Sequence, residues 1–222
     1  YLYMTKDNAV SFQAFRAAEG FTARICPVCS ASQRERVLWE NRHLDAWGRR
    51  DQLDVWFFPV YSRPLFITRR IPAVTVIHDM QAIHFPEYFS KGRNAFFRLM
   101  WRWDCARSDK VVTISQYCKA DIQAHYRVPE ERMAVVYNPV VVEEDRFDFS
   151  VLEERYGIRE GEYLYTVSSL AKHKNLLTLL KMMTLLRERG EDTKLLVSGV
   201  KVNGADEFTA FIRENRLEER VV

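Results

Sequence analysis

Short apolar runs alternate with helical segments along this chain, and few folds accept that rhythm. Leu53–Phe58, Ala73–Ile77, Lys110–Ile114 and Met133–Tyr137 are each rich in β-branched or aromatic residues. They are apolar at consecutive positions, the pattern of strands covered on both faces of a parallel sheet. Arg34–Arg50, Gly92–Ser108 and Gln116–Tyr126 lie between them with helical spacing. Strand and helix in strict turn predict an α/β fold with a doubly wound sheet.

The character changes after Pro139. Residues 143–162 gather Glu143, Glu144, Asp145, Asp148, Glu153, Glu154, Glu160 and Glu162 around Tyr156-Gly157, and read as a linker with one short helix. The alternation then restarts with strand Tyr163–Val167, helix Asn175–Arg189, strand Thr193–Ser198 and helix Asp206–Arg216. The expected organisation is a domain over 1–142, a linker over 143–162 and a second domain over 163–222. Arg220-Val-Val222 looks like the opening of a strand, so the second domain is expected to be truncated. Tyr1-Leu2-Tyr3 shows neither an initiating Met nor a signal-peptide pattern, which suggests a piece of a longer, cytoplasmic chain.

Composition narrows the function classes. With 47% hydrophobic and 28% charged residues, the chain can bury a core. Thirty-three basic against 30 acidic residues is too even a balance to imply nucleic-acid binding. No apolar run approaches the roughly twenty residues that span a bilayer. Cys26-Pro-Val-Cys29 has the spacing of a zinc or redox pair, but Cys105 and Cys118 are isolated, so the second half of a zinc site is missing. All four read as ordinary reduced thiols.

Several stretches carry candidate chemistry. His78-Asp79 ends the run Ala73–Ile77, and open α/β sheets bind ligands beyond the carboxyl ends of their strands. His78 can bond a hydroxyl or move a proton near neutral pH. Equally, it can be satisfied by backbone carbonyls while Asp79 caps the next turn. Ser115 follows the next strand and suits a helix N-cap. Ser168-Ser-Leu-Ala-Lys-His-Lys-Asn175 opens the strand-to-helix loop of the second domain. Lys172, His173 and Lys174 stand there beside a helix N-terminus, where cations oppose the dipole unless an anion joins them. That combination suits a diphosphate, although the glycines of a P-loop are absent. Lys91–Trp103 is basic and aromatic; it fits a helix packed on the sheet, or one making peripheral contact with a membrane through 91–103.

Taken together, these stretches resemble the retaining GT-B glycosyltransferases of the family-four, mannosyltransferase-like type. "VIHDMQAIHFPEYFS" is similar to their strand-end His-Asp-Leu-Gln followed by His-Phe-Pro-Glu. "VVTISQYCKADI" resembles their Val-Ser-x-x-Ser-x-x-Asp element, with Cys118 where serine is frequent. "RMAVVYNPV", "YLYTVSSLAKHKNLLTLL" and "RERVLWE" match further pieces, in order, over about residues 34–200. Any one is weak; five in sequence are specific.

The resemblance implies two Rossmann-like domains, the first strand of the N-terminal one missing and the second domain incomplete. It implies transfer of a hexose such as mannose, with retention, from a GDP- or UDP-linked sugar to a glycan or lipid-linked acceptor. No metal and no other cofactor are implied, and the protein would be cytoplasmic or peripheral at the inner membrane surface. His78 and Lys174 take the catalytic roles. Ser169, Lys172, His173, Lys174, Asn175 and Gly199 fall to the donor. His78, Asp79, Gln81, His84, Glu87 and Ser115 fall to the acceptor side. A paired-glutamate motif that such enzymes use to hold the donor sugar is not found before Val222, so the isolated chain is expected to be inactive. A glycogen synthase-like or epimerase relative, or a non-catalytic binding fragment, remain alternatives.

Overall fold

A computed structural model describes residues 1–60, 63–68, 70–142, 148–159, 161–201 and 204–222. Of the predicted acidic linker, Glu143, Glu144, Asp145 and Glu160 lie outside the described residues. The chain forms two compact units, 1–140 and 141–222.

In the first unit, β3 (Trp56–Phe58), β4 (Ala73–Ile77), β5 (Lys110–Thr113) and β6 (Met133–Val135) form a four-stranded sheet in chain order, every pair parallel. Parallel neighbours need crossovers. Helix α4 (Lys91–Arg107) joins β4 to β5, and α5 (Gln116–Tyr126) joins β5 to β6. Both bury an apolar stripe: Phe97, Trp101, Cys105 and Ile122 close over Ile77, Val111 and Met133. Burial pushes the Cys105 thiol up to about 12, as expected of an inert core cysteine.

A second, two-stranded parallel sheet was not predicted: β1 (Leu2–Thr5) with β2 (Ala23–Cys26), linked through the short α1 (Gln13–Ala17). Helix α2 (Gln33–Arg50) leads from β2 to β3. Asp51, just past its end, accepts hydrogen bonds from Tyr3 Oη at 2.7 Å and from Arg24 Nε and Nη2 at 2.9 Å. Arg24 above all holds that carboxyl well below the usual carboxylate range.

The two sheets do not share a ladder among the described residues. Leu2 N–H donates to Thr22 O and Lys6 N–H to Val28 O, so β1 spends its even positions on β2 and turns Tyr3 outward. Trp56 N–H donates to Pro72 O, which turns Phe57 away from β4 in the same manner. Between these unpaired edges lies a cavity of about 730 Å³, lined by Met4, Cys26, Glu40, Leu44, Val55 and Phe57. The rings of Tyr3 and Trp56 meet across it, 5.2 Å apart.

In the second unit, α6 (Ser150–Tyr156) precedes β7 (Tyr163–Val167), which pairs in parallel with β8 (Lys194–Ser198). Helices α7 (Leu176–Glu188) and α8 (Ala205–Glu214) pack Leu180, Met183, Phe208 and Phe211 around Leu195 and Leu217. Val221 adds an isolated parallel bridge to Leu195. β7 is exposed at Leu164, Tyr165 and Val167, 39%, 56% and 70%.

Candidate functional site

Two strand-end loops carry the predicted residues, one in each unit.

In the first unit, β4 delivers His78 at the carboxyl edge of the sheet, and side chains tether the loop that follows. His78 Nε2 lies 2.9 Å from Pro59 O. A carbonyl oxygen can only accept, so Nε2 carries a proton here, which in the neutral tautomer leaves Nδ1 as the acceptor. The Cys118 thiol donates to His78 O at 2.9 Å, fixing the main chain below the ring. Asp79 Oδ1 accepts from Gln81 N–H at 3.1 Å, a local turn that starts α3 (Gln81–His84). Asp79 thus makes the turn contact expected of it.

His84 Nε2 lies 2.7 Å from Asp121 Oδ2 on α5, and His125 Nδ1 is 3.2 Å from the other oxygen of the same carboxylate. Asp121 closes the Val-Ser-x-x-Ser-x-x-Asp-like element, but its contact with His84, 37 residues away, leaves no local signal; His125, one helical turn on, was missed. Ser115 Oγ accepts from Cys118 N–H at 3.1 Å and caps α5, as predicted. Glu87 is exposed in the 3-10 turn Pro86–Tyr88. Thus Pro59, His78, Cys118 and Ser115 come together, with His84 and Asp121 as a second tether.

In the second unit the loop 168–175 is held by main chain. Ser168 N–H donates to Ser198 O at 2.9 Å, and Leu170 N–H to Val200 O at 3.1 Å. Gly199 lies flat against this crossing; a Cβ there would overlap the Ser168 carbonyl. Gly204, at φ 121°, approaches Leu170 O in the same way. Gly199 was assigned to the donor from its position, and its visible work is to let two backbones pass. Gly204 was missed.

Lys172, His173 and Lys174 form a 3-10 turn, and Asn175 then takes the left-handed conformation (φ 53°) at the start of α7. The Asn175 side chain accepts from Thr178 Oγ1 at 2.9 Å, and its carbonyl accepts from Thr178 N–H at 3.1 Å. Lys174 is exposed, two residues from the helix start. Lys172 instead reaches Glu207 Oε2 at 3.2 Å on α8. Ser169 is half-buried between the two strand exits. Among the described residues no group of three His, Cys, Asp or Glu side chains is arranged to hold a metal ion. No helix of the described residues is long and apolar enough to cross a membrane.

Comparison with known proteins gives a consistent frame. Residues 6–144 match the model of Glycosyltransferase Family 4. The O-antigen chain mannosyltransferase RfbU of Salmonella typhimurium is 27% identical over 105 residues, 47% of this chain and 27% of that protein. The chain thus covers about a quarter of the length of the curated relative it matches. WaaG, a glycosyltransferase involved in lipopolysaccharide biosynthesis, superposes with a TM-score of 0.66 at 17% identity, covering 100% of this chain and 69% of that one. HepE of Anabaena, solved with UDP and glucose, gives a TM-score of 0.66 at 17% identity over 96% of this chain and 58% of that one. These structural likenesses speak for the fold: α/β with Rossmann-like parallel sheets of the GT-B kind.

Proposed function

The chain belongs to Glycosyltransferase Family 4, and from that premise we propose that it forms part of a transferase moving a hexose from a nucleotide sugar to a glycan or lipid-linked acceptor. The observation that carries this reading is the Lys172–Lys174 turn directly before α7, at the carboxyl ends of two parallel strands. Three cationic or protonatable side chains beside a helix N-terminus are unfavourable alone and favourable around a diphosphate.

In the proposed reaction the bond between the sugar's anomeric carbon and the diphosphate oxygen breaks. The diphosphate leaves with the electron pair, the acceptor oxygen bonds the anomeric carbon, and the acceptor hydroxyl passes its proton to the departing diphosphate. Lys174 and the first amides of α7 stabilise the departing charge, the role a divalent ion has elsewhere, and the reaction needs no metal. Lys172 makes an exposed, solvent-screened pair with Glu207, with which a diphosphate can compete. His78 offers Nδ1 as an acceptor to a substrate hydroxyl, its ring held by Pro59 and its backbone by Cys118.

Mannose is the favoured sugar because a mannosyltransferase is among the relatives matched at sequence level. Retention of configuration follows the family resemblance, and acceptor contacts fall to the 78–87 loop.

The test is Lys174→Ala in the full-length protein, assayed with GDP-mannose, UDP-glucose and UDP-N-acetylglucosamine. Turnover is expected to fall by about two orders of magnitude with the better donor, mostly in kcat, as for loss of one transition-state charge contact. Unchanged turnover sinks the assignment. The anomeric configuration of the product, read by NMR, decides retention.

A further inference from the structure

Asp121, on the second turn of α5, is one carboxylate with two imidazoles on it. His84 Nε2 reaches across from α3 to lie 2.7 Å from Oδ2, and His125 Nδ1 lies 3.2 Å from Oδ1. The same His125 nitrogen is 2.9 Å from the main-chain oxygen of Asp121. The Asp121 side chain is only 11% exposed, whereas the two rings are 35% and 37% exposed. Their centroids stand 5.7 Å apart and their planes cross at 89°.

The oxygens in this cluster accept, so the nitrogens that face them carry the protons. His84 is therefore protonated on Nε2 and His125 on Nδ1. In the neutral rings His84 Nδ1 and His125 Nε2 are left as acceptors, and neither has a partner among the described residues. Tethering accounts for His84, which joins two elements. It does not account for His125, whose bonds close one turn of its own helix. Exposed rings flank the pair. Phe85, the neighbour of His84, is 48% exposed, and Tyr117, one turn before Asp121 on the same face of α5, is 73% exposed.

A face that offers acceptors selects a ligand that donates. A phosphate brings acceptors and negative charge, and it meets the Asp121 carboxylate. A sugar brings hydroxyl donors, and the C–H groups of its ring settle on the negative face of an aromatic. We propose that His84, His125 and Tyr117 form a subsite for a second sugar residue of the acceptor, beside the residue that is glycosylated. Asp121 is the positioning residue of this subsite, because it fixes the tautomers and the orientation of both rings. The inference rests on the transfer reading above and narrows its acceptor to a glycan of at least two residues.

The experiment is a ligand-observed NMR titration of the full-length protein without donor. The probes are mannobiose, maltose and chitobiose, each beside the methyl glycoside of its single sugar. At least one disaccharide is expected to bind about tenfold more tightly than its methyl glycoside, the worth of about one hydrogen bond and one ring contact. His125→Ala with Tyr117→Ala is expected to abolish that advantage and to leave methyl glycoside binding within about twofold. Both residues are exposed, and an unchanged far-UV spectrum verifies the fold. Asp121→Ala is expected to abolish the advantage as well, and Asp121→Asn, which still accepts from one ring, to keep part of it. A wild type that binds no disaccharide more tightly than its methyl glycoside overturns the proposal. An undiminished advantage in the double variant also overturns it. Because no turnover is read, the two readings fail separately. A lost advantage sinks the subsite alone, and unchanged turnover in Lys174→Ala sinks the donor assignment alone.

Discussion

The two strand-end loops reach similar positions by opposite means. After β4, side chains do the holding: Pro59 O takes the His78 ring, Cys118 takes its carbonyl, and Asp121 takes His84. After β7, main chain crosses main chain, and two glycines exist to permit it. The first arrangement immobilises a ring in one tautomer. The second leaves side chains such as Lys174 outside the scaffold, where a large polar ligand can reach them. A loop stiffened by side chains is sensitive to what is removed, and a loop stiffened by backbone to what is added.

That difference can be broken most severely at Gly199. In Gly199→Ala the new methyl overlaps the Ser168 carbonyl, so the crossing of the two loops must open. A loss of more than about 3 kcal/mol, the range of forced backbone displacement, is expected from urea unfolding. A loss below about 0.5 kcal/mol would mean that the loops do not need their contact.

The next effect lies under the first loop, in α4. Burial pushes the Asp104 carboxyl up to about 8, against the pull of the Arg63 guanidinium. In the unfolded chain this group loses its proton near pH 4. The folded state therefore holds the extra proton between about pH 4 and pH 8, and stability falls as the pH rises through that window. The fall is on the order of a few kcal/mol, and Asp104→Asn is expected to flatten it. Denaturation midpoints at pH 5 and pH 8 are the check, and an unchanged slope in the variant rejects the assignment to Asp104.

Cys118→Ala removes one hydrogen bond from the first loop and should cost about 1 kcal/mol. Cys118→Ser should restore most of it, because a hydroxyl donates to His78 O as a thiol does. If serine is no better than alanine, packing and not the hydrogen bond fixes the loop. The smallest effect is expected at Lys172→Ala, within about 0.5 kcal/mol, since its ion pair with Glu207 is exposed.

The strands of the main sheet were legible because each is a short unbroken apolar run; β4 and β7 were read to the residue. The strand at Leu53–Phe58 begins later than predicted, at Trp56, because Leu53 N–H is taken by Gly48 O in the turn closing α2. β1 and β2 were missed: four residues each, with Arg24 and Thr5 interrupting the apolar pattern. At the sites, caps such as Ser115 were readable because they are local. Partners such as Pro59, Asp121 and Glu207 lie 19 to 37 residues from the groups they hold, or on another helix, and distance in sequence hides them.

The unpaired edges of β1 and β3 bear on how the first unit comes apart. No hydrogen-bond ladder crosses from one sheet to the other among the described residues, so the N-terminal β-α-β segment is joined to the rest by side-chain contacts, among them the Asp51 bonds and the Tyr3 ring against Trp47 and Trp56. Such a segment opens as a cooperative unit of its own, at lower free energy than the global transition. Its amides would exchange with deuterium as a block while those of β4 and β5 stay protected, and agents that weaken the grip of Arg24 on Asp51 would release that block first.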